Sequence, residues 1–230
     1  MKVLFRIKRY NPETGGRPQF QTYELDAEPE NSILDCLHKI KWKQDGTLAF
    51  RRSCGHAICG SCAMTINNEN KLACQTLVRD AGRRVTVEPL RSFPVIRDLI
   101  TDLDRFYEKF YAVMSWFINN SAPPDRERIQ HAEDQALIDE AASCILCACC
   151  TSACPSFWAD DDYLGPSALL KAYRFIFDSR DQAQQARLTL LDTSKGPWKC
   201  HTIFNCNEAC PKEIDITNAI ARLKLRLASL

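Results

Sequence analysis

The chain of 230 residues has almost no net charge: 30 Lys and Arg stand against 29 Asp and Glu, a balance of +1. Without a field of one sign, bulk charge offers nothing to nucleic acid, and no nucleic-acid partner is expected. Long apolar runs are missing too. Crossing a bilayer takes about 18 or more consecutive apolar residues. The nearest stretch, residues 94–118, is broken by Arg97, Asp98, Asp102, Asp104, Arg105, Glu108 and Lys109. Membrane association is therefore expected only at the periphery or through a partner. The start, Met1-Lys2-Val3-Leu4-Phe5-Arg6-Ile7-Lys8, has no secretory apolar core and no transit-peptide character. It alternates charged and apolar residues, as a half-buried strand does.

Cysteine, by contrast, is abundant, with 13 residues. In a chain expected to be intracellular, that number points to metal rather than disulfides. The cysteines fall into three constellations. The first is Cys54-x4-Cys59-x2-Cys62, followed by Cys74, the spacing of plant-type [2Fe–2S] sites. Soft thiolates suit cluster iron, and Gly55 and Gly60 let the loop wrap tightly enough for backbone N–H groups to approach sulfur.

The second constellation is Cys144-x2-Cys147-x2-Cys150-x3-Cys154-Pro155, a bacterial ferredoxin run whose fourth cysteine serves another cluster. The third supplies that partner, Cys200-x2-Ile203-x2-Cys206-x3-Cys210-Pro211, with Ile203 in the second cysteine slot. By the crossing rule, Cys144, Cys147, Cys150 and Cys210 form a complete [4Fe–4S] ligand set. Cys154, Cys200 and Cys206 remain as three ligands, so the iron facing Ile203 has no thiolate and a [3Fe–4S] cluster is expected. A non-cysteine fourth ligand is the alternative, with His201 nearest. Cys36 and Cys149 are left over: Cys36 reads as a small buried residue, and Cys149, flanked by ligands, reads as packing by default, with support of the neighbouring ligands as the alternative.

The fold expected is α+β. Residues 1–92 form a plant-type ferredoxin (β-grasp) domain, and residues 93–230 an all-α domain like a bacterial ferredoxin, carrying the other two clusters. In the first domain, strands are read at residues 1–8, 20–25, 63–66, 71–73 and 84–88, and Ser32 caps a helix bearing Ile33, Leu34, Leu37 and Ile40. A long helix is read after Pro94, with Ile96, Leu99, Ile100, Leu103, Phe106, Tyr107, Phe110, Val113, Met114 and Phe117 as a packing stripe. Later helices are read from Pro166 to about Phe177, and from Asp215 or Thr217 to near Leu230.

This arrangement resembles the iron–sulfur proteins of the succinate dehydrogenase and fumarate reductase family over essentially the whole chain. Arg51-Arg52-Ser53-Cys54, Cys59-Gly60-Ser61-Cys62, Pro94-Val95-Ile96-Arg97-Asp98 and Cys144-Ile145-Leu146-Cys147-Ala148-Cys149-Cys150 carry the likeness. So do Cys154-Pro155-Ser156-Phe157-Trp158, Gly165-Pro166 and Asp178-Ser179-Arg180-Asp181. The stretch 144–150 and Ser156-Phe157-Trp158 favour the succinate dehydrogenase branch; a fumarate reductase subunit is the runner-up.

The resemblance implies an FAD-containing flavoprotein partner that oxidises succinate, and membrane anchor subunits that hold a quinone. It also implies a relay of single electrons through the three clusters, serving the tricarboxylic acid cycle and respiratory electron transport. The chain alone is expected to oxidise no succinate. It would lie on the cytoplasmic face of a bacterial inner membrane, or on the matrix side of the mitochondrial one. Pro155, Ser156, His201 and Ile203 match the family's quinone-site positions. Two positions depart from the pattern: Ala159 stands where many members have a second tryptophan, and Gly55-His56-Ala57-Ile58 replaces a charged loop. Outside the family, a zinc-binding interaction module and a free ferredoxin-type carrier are the other readings.

Overall fold

The computed structural model describes residues 1–229. In chain order the elements are β1 (Lys2–Arg9), β2 (Gln19–Asp26), α1 (Ile33–Lys43), β3 (Ala63–Ile66), β4 (Glu69–Leu72), α2 (Val78–Ala81), β5 (Arg84–Glu88), β6 (Val95–Arg97) and β7 (Ile100–Thr101). Helices follow: α3 (Asp104–Ala112), α4 (Ala132–Ala142), α5 (Cys149–Ser152), α6 (Pro155–Ala159), α7 (Pro166–Ile176), α8 (Gln184–Leu191), α9 (Asn205–Glu208) and α10 (Ile216–Ala228). The expected end of the last helix near Leu230 lies outside the described residues.

Two compact units result. The first is Met1–Leu103 with Ile145–Ala153, and the second is Asp104–Cys144 with Cys154–Leu230. Compactness thus divides the chain at a different point from the 92/93 boundary read from the sequence.

The first unit is a five-stranded mixed sheet in the order β2-β1-β5-β3-β4. Alternation in β1 turns Val3, Phe5 and Ile7 inward, where they meet Val85 and Val87 of parallel β5 and the apolar face of α1. That face is Ile33, Leu34, Cys36, Leu37 and Ile40, all buried. Helix α1 starts where the sequence says it should. The Ser32 hydroxyl accepts from Asp35 N–H at 3.1 Å, and the Asp35 carboxylate accepts from Ser32 N–H at 3.0 Å, a reciprocal capping box.

The long helix read after Pro94 is not there. Residues 95–101 form the short hairpin β6–β7 instead, and α3 begins only at Asp104. The cause is Asp98. It takes up a left-handed φ of 47°, and its buried carboxylate accepts from Tyr10 N–H at 2.9 Å, Arg9 Nε at 3.0 Å and Ala49 N–H at 2.8 Å. These bonds tie the turn to two other segments, and no helix geometry satisfies them. The apolar stripe is broken accordingly: Leu99, Phe106 and Val113 are buried, while Ile96, Tyr107 and Phe117 are exposed.

In the second unit α7 is the central element, buried along most of its length and packed against α10, α4, α8 and α3. Its first turn opens with Pro166, whose missing N–H costs nothing at that position. Arg187 of α8 is wholly buried; it grips Asp181 at 2.5 Å and donates to the carbonyls of Met114 and Trp116.

Candidate metal centres

Cys54, Cys59 and Cys62 lie on a loop of turns that leads into β3, and the β3–β4 hairpin returns Cys74 to hydrogen-bond with Cys62. Three residues of the loop have positive φ: Gly55 (73°), Ala57 (60°) and Gly60 (72°). This winding turns backbone donors toward sulfur. The N–H groups of His56, Ile58 and Cys59 point at Cys54 Sγ from 3.4, 3.4 and 3.3 Å. They hold the Cys54 thiol down at about 6. The Ser61 hydroxyl, 2.8 Å from Cys59 Sγ, lowers that thiol as well. Burial pushes Cys62 up to about 12, so a thiolate there needs positive charge beside it, which cluster iron supplies. The donor set therefore fits a thiolate-ligated cluster.

Gly60 has a second role. A Cβ at this position would lie 2.9 Å from the Cα of Cys147 and 3.0 Å from the Ile145 carbonyl oxygen. Only glycine lets the [2Fe–2S] loop rest directly on the stretch 145–147 of the same unit.

The two ferredoxin-type runs share one backbone design. In the first, Leu146 and Ala148 have φ of 55° and 66°, flanking Cys147. In the second, Thr202 and Phe204 have φ of 57° and 68°, flanking Ile203. Each run then enters a single helical turn, α5 or α9. Ile203 therefore occupies the backbone station of Cys147, as the spacing implied, with a side chain that cannot bind iron. Cys147 and Cys150 belong to the first unit, Cys144 and Cys210 to the second. The Cys147 thiol is lowered, chiefly by a hydrogen bond from Cys149. Cys149 is thus more than a packing residue; it is buried, and its carbonyl accepts from Asn70 Nδ2 at 3.1 Å.

Within the second unit, Cys154, Cys200 and Cys206 line one small, open-mouthed cavity. Pro155, Ser156, His201 and Ile203, the four quinone-site candidates, line it too, with Ile203 and His201 exposed. Burial pushes the thiols of Cys154 and Cys206 up, and the neighbouring Cys200 adds to both. Two desolvated thiols, Cys154 and Cys206, with Cys200 beside them on the same cavity fit a group that brings positive charge. Among the described residues, no three His, Cys, Asp or Glu side chains converge on a single-ion position. A cluster asks for no such convergence, because its thiolates bind different irons.

Residues 4–108 match the 2Fe-2S iron-sulfur cluster binding domain family, and residues 140–214 match the 4Fe-4S dicluster domain family. A relative named succinate dehydrogenase iron-sulfur subunit, from Coxiella burnetii, is 41% identical over 98% of this chain and 97% of its own length. One of the same name from Paracoccus denitrificans is 44% identical over 96% of this chain and 86% of its own. The chain belongs to the succinate dehydrogenase iron–sulfur subunit family. Its fold agrees with a chain of the Mycobacterium smegmatis Sdh1 complex in the apo form, with a TM-score of 0.90 at 29% identity, covering 99% of this chain and 96% of that one.

Family membership settles the expected fold class: a plant-type ferredoxin domain followed by a helical dicluster domain. It disfavours the fumarate reductase reading, since the relatives carry the succinate dehydrogenase name. It also displaces the zinc module, because both matched domain families bind iron–sulfur clusters. Sequence reasoning missed the polar residues that touch the ligands from a distance along the chain. Asn70 reaches the Cys149 carbonyl, Lys171 Nζ reaches the Cys144 carbonyl at 3.3 Å, and Asn207 and Thr217 stand beside Cys206. Asn207 lies inside the third cysteine run, between Cys206 and Cys210, whereas Asn70, Lys171 and Thr217 lie outside every run and no spacing could have flagged them.

Proposed function

We propose that the chain is the electron-transfer subunit of a succinate:quinone oxidoreductase. Its relatives' name and the cysteine grammar support a partner flavoprotein carrying FAD, and membrane anchor subunits carrying a quinone. When bound, [2Fe–2S], [4Fe–4S] and [3Fe–4S] clusters supply one-electron steps between two carriers, flavin and quinone, that each exchange two. In this reading Cys54, Cys59, Cys62 and Cys74 hold the first cluster, and Cys144, Cys147, Cys150 and Cys210 the second. Cys154, Cys200 and Cys206 hold the third.

Residues 1–92 would then act as the [2Fe–2S] domain, and residues 93–230 as the domain of the other two clusters. The chain's own work is to supply thiolates, to aim N–H and hydroxyl donors at them, and to keep water from the sulfur. Pro155, Ser156, His201 and Ile203 would form this chain's wall of the quinone site. No helix among the described residues is long and apolar enough to cross a membrane, so anchor subunits would hold the chain at the membrane face. The observation that carries the reading is the matched backbone of the two runs with Ile203 at the Cys147 station, above a cavity lined by three thiols.

Low-temperature EPR of the anaerobically purified complex tests it. An oxidised [3Fe–4S] signal, followed on stepwise reduction by [2Fe–2S] and [4Fe–4S] signals, is the expected result. Bound zinc with no iron signal would sink the electron-transfer reading.

A further inference from the structure

We propose that Lys171 tunes the second centre: its ammonium, held beside the ligand Cys144, raises the reduction potential of the cluster bound there. The inference rests on the reading of Cys144, Cys147, Cys150 and Cys210 as a four-thiolate ligand set.

Helix α7 is buried at nine of its eleven positions, and the other two are its only charged residues, Lys171 and Arg174. The two cations end differently. The Arg174 guanidinium meets the Asp178 carboxylate at 2.7 Å. Lys171 has no carboxylate partner among the described residues; its Nζ donates to the Cys144 carbonyl at 3.3 Å. A lysine on a packed helix ordinarily pairs with a carboxylate or carries its head group out to water. Lys171 turns its head group to the backbone of a cluster ligand instead. Both residues belong to the second unit, so the contact lies within one compact body.

A carbonyl offers the ammonium a dipole, whereas the bound centre offers it a charge. Burial holds the Lys171 ammonium below its ordinary value, against the pull of the Cys144 sulfur. A cluster held by four thiolates is an anion, because its ligands carry more negative charge than the iron–sulfur core carries positive. It therefore strengthens that pull. Reduction adds one electron, and no bond forms or breaks. The anion gains a further negative charge, so a fixed cation beside it attracts the reduced state more than the oxidised one. A half-buried pair is screened less by salt and water than a surface pair. Charge near a cluster is one of the quantities that set its potential, and here the charge favours the reduced form.

The experiment uses the intact complex carrying K171M, K171Q or K171R, with EPR-monitored redox titration of the reduced [4Fe–4S] signal. Methionine keeps most of the apolar stem without the charge. Glutamine keeps a donor for the Cys144 carbonyl without the charge, and arginine keeps both. A unit charge acting over several ångströms of partly buried protein corresponds to about a tenfold change in the reduction equilibrium. K171M and K171Q should therefore both lower the midpoint by about 59 mV. K171R should titrate close to the wild type, and the [2Fe–2S] midpoint should move much less in all three. A K171M midpoint at the wild-type value would overturn the proposal. So would a K171R midpoint lowered as far as that of K171M. K171Q at the wild-type midpoint with K171M lowered would overturn it too, assigning the effect to the hydrogen bond on the Cys144 carbonyl rather than to charge. Loss of the [4Fe–4S] signal from both neutral variants would also overturn it, making the lysine a structural requirement of the ligand loop. Absence of a reduced [4Fe–4S] signal from the wild type would instead refute the ligand set on which the inference stands.

Discussion

Gly55 and Gly60 share a loop and nearly the same φ, 73° and 72°, yet a methyl group would meet different surroundings at each. At Gly55 nothing lies within 4 Å; at Gly60 the backbone of Cys147 lies at 2.9 Å. Gly55→Ala therefore bears only the left-handed backbone penalty, about 1–2 kcal/mol. Gly60→Ala adds an overpacking cost of about 1–3 kcal/mol, because the neighbour is main chain and cannot swing aside. We expect the Gly60 variant to lose [2Fe–2S] cluster or fold, and the Gly55 variant to keep it, as read by iron content and the visible spectrum. At Ile203 the substitution works the other way. Its backbone already has the winding around Cys147, so Ile203→Cys presents a fourth thiol without new strain. That variant should bind one more iron per chain and lose the oxidised [3Fe–4S] EPR signal; an unchanged signal would contradict the three-ligand assignment.

Two aspartates of one motif separate at the level of elements. The Asp181 side chain is fully buried, faces the fully buried Arg187 of α8, and accepts from Ile118 N–H and Ala183 N–H. Asp181→Asn leaves Arg187 charged with no exit to water, so a loss of about 3–5 kcal/mol is expected in urea unfolding. Asp178 is also buried, but Arg174 and Arg180 keep 19% and 31% of their side chains in solvent. Asp178→Asn should therefore cost less, about 1.5–3 kcal/mol at neutral pH. Burial opposes the Asp178 charge, yet hydrogen bonds from Arg180 and Arg174 outweigh it and hold the carboxyl at about 2. A folded value below the unfolded one contributes stability above the ordinary carboxylate range. That contribution fades as pH falls from about 4 toward 2, so the gap between Asp178→Asn and wild type should close over that window. The motif itself is plain in the sequence; its role as a set of buried charges is not, because Arg187 and the 114–118 carbonyls meet it only in the fold. Elements carried by one dominant local signal, such as the alternating β1 and the Ser32-capped α1, were legible. Residues 94–103 were not, since their helical spacing of apolar residues is overruled by bonds from Asp98 to Tyr10 and Ala49, distant in sequence. The site divides the same way: cysteine spacing announces the ligands, while Thr217 becomes visible only once α10 docks beside Cys206.

For the whole molecule, the question is how a chain with no membrane-crossing helix among its described residues would deliver electrons to a membrane quinone. The second unit offers a face for this. Ile203 and Phe204 line the mouth of the three-thiol cavity and are 50% and 51% exposed. Trp158 and Trp198, near Cys154 and Cys200 in sequence, are 49% and 46% exposed. Ile203 and Phe204, large apolar side chains left half in water at the cavity mouth, form a surface suited to being covered by a partner. Phe204 is the residue to change. It sits at φ 68° as the N-cap of α9, and asparagine is among the few side chains at ease in that conformation and at that cap. Phe204→Asn thus removes apolar contact area while leaving the backbone of the run relaxed. The variant should retain the three cluster signals, yet move from the membrane pellet toward the supernatant on centrifugation, as followed by its reduced [2Fe–2S] signal. Unchanged sedimentation would show that this face does not hold the chain to the membrane fraction. Loss of the [3Fe–4S] signal alone would assign Phe204 to holding the ligand loop.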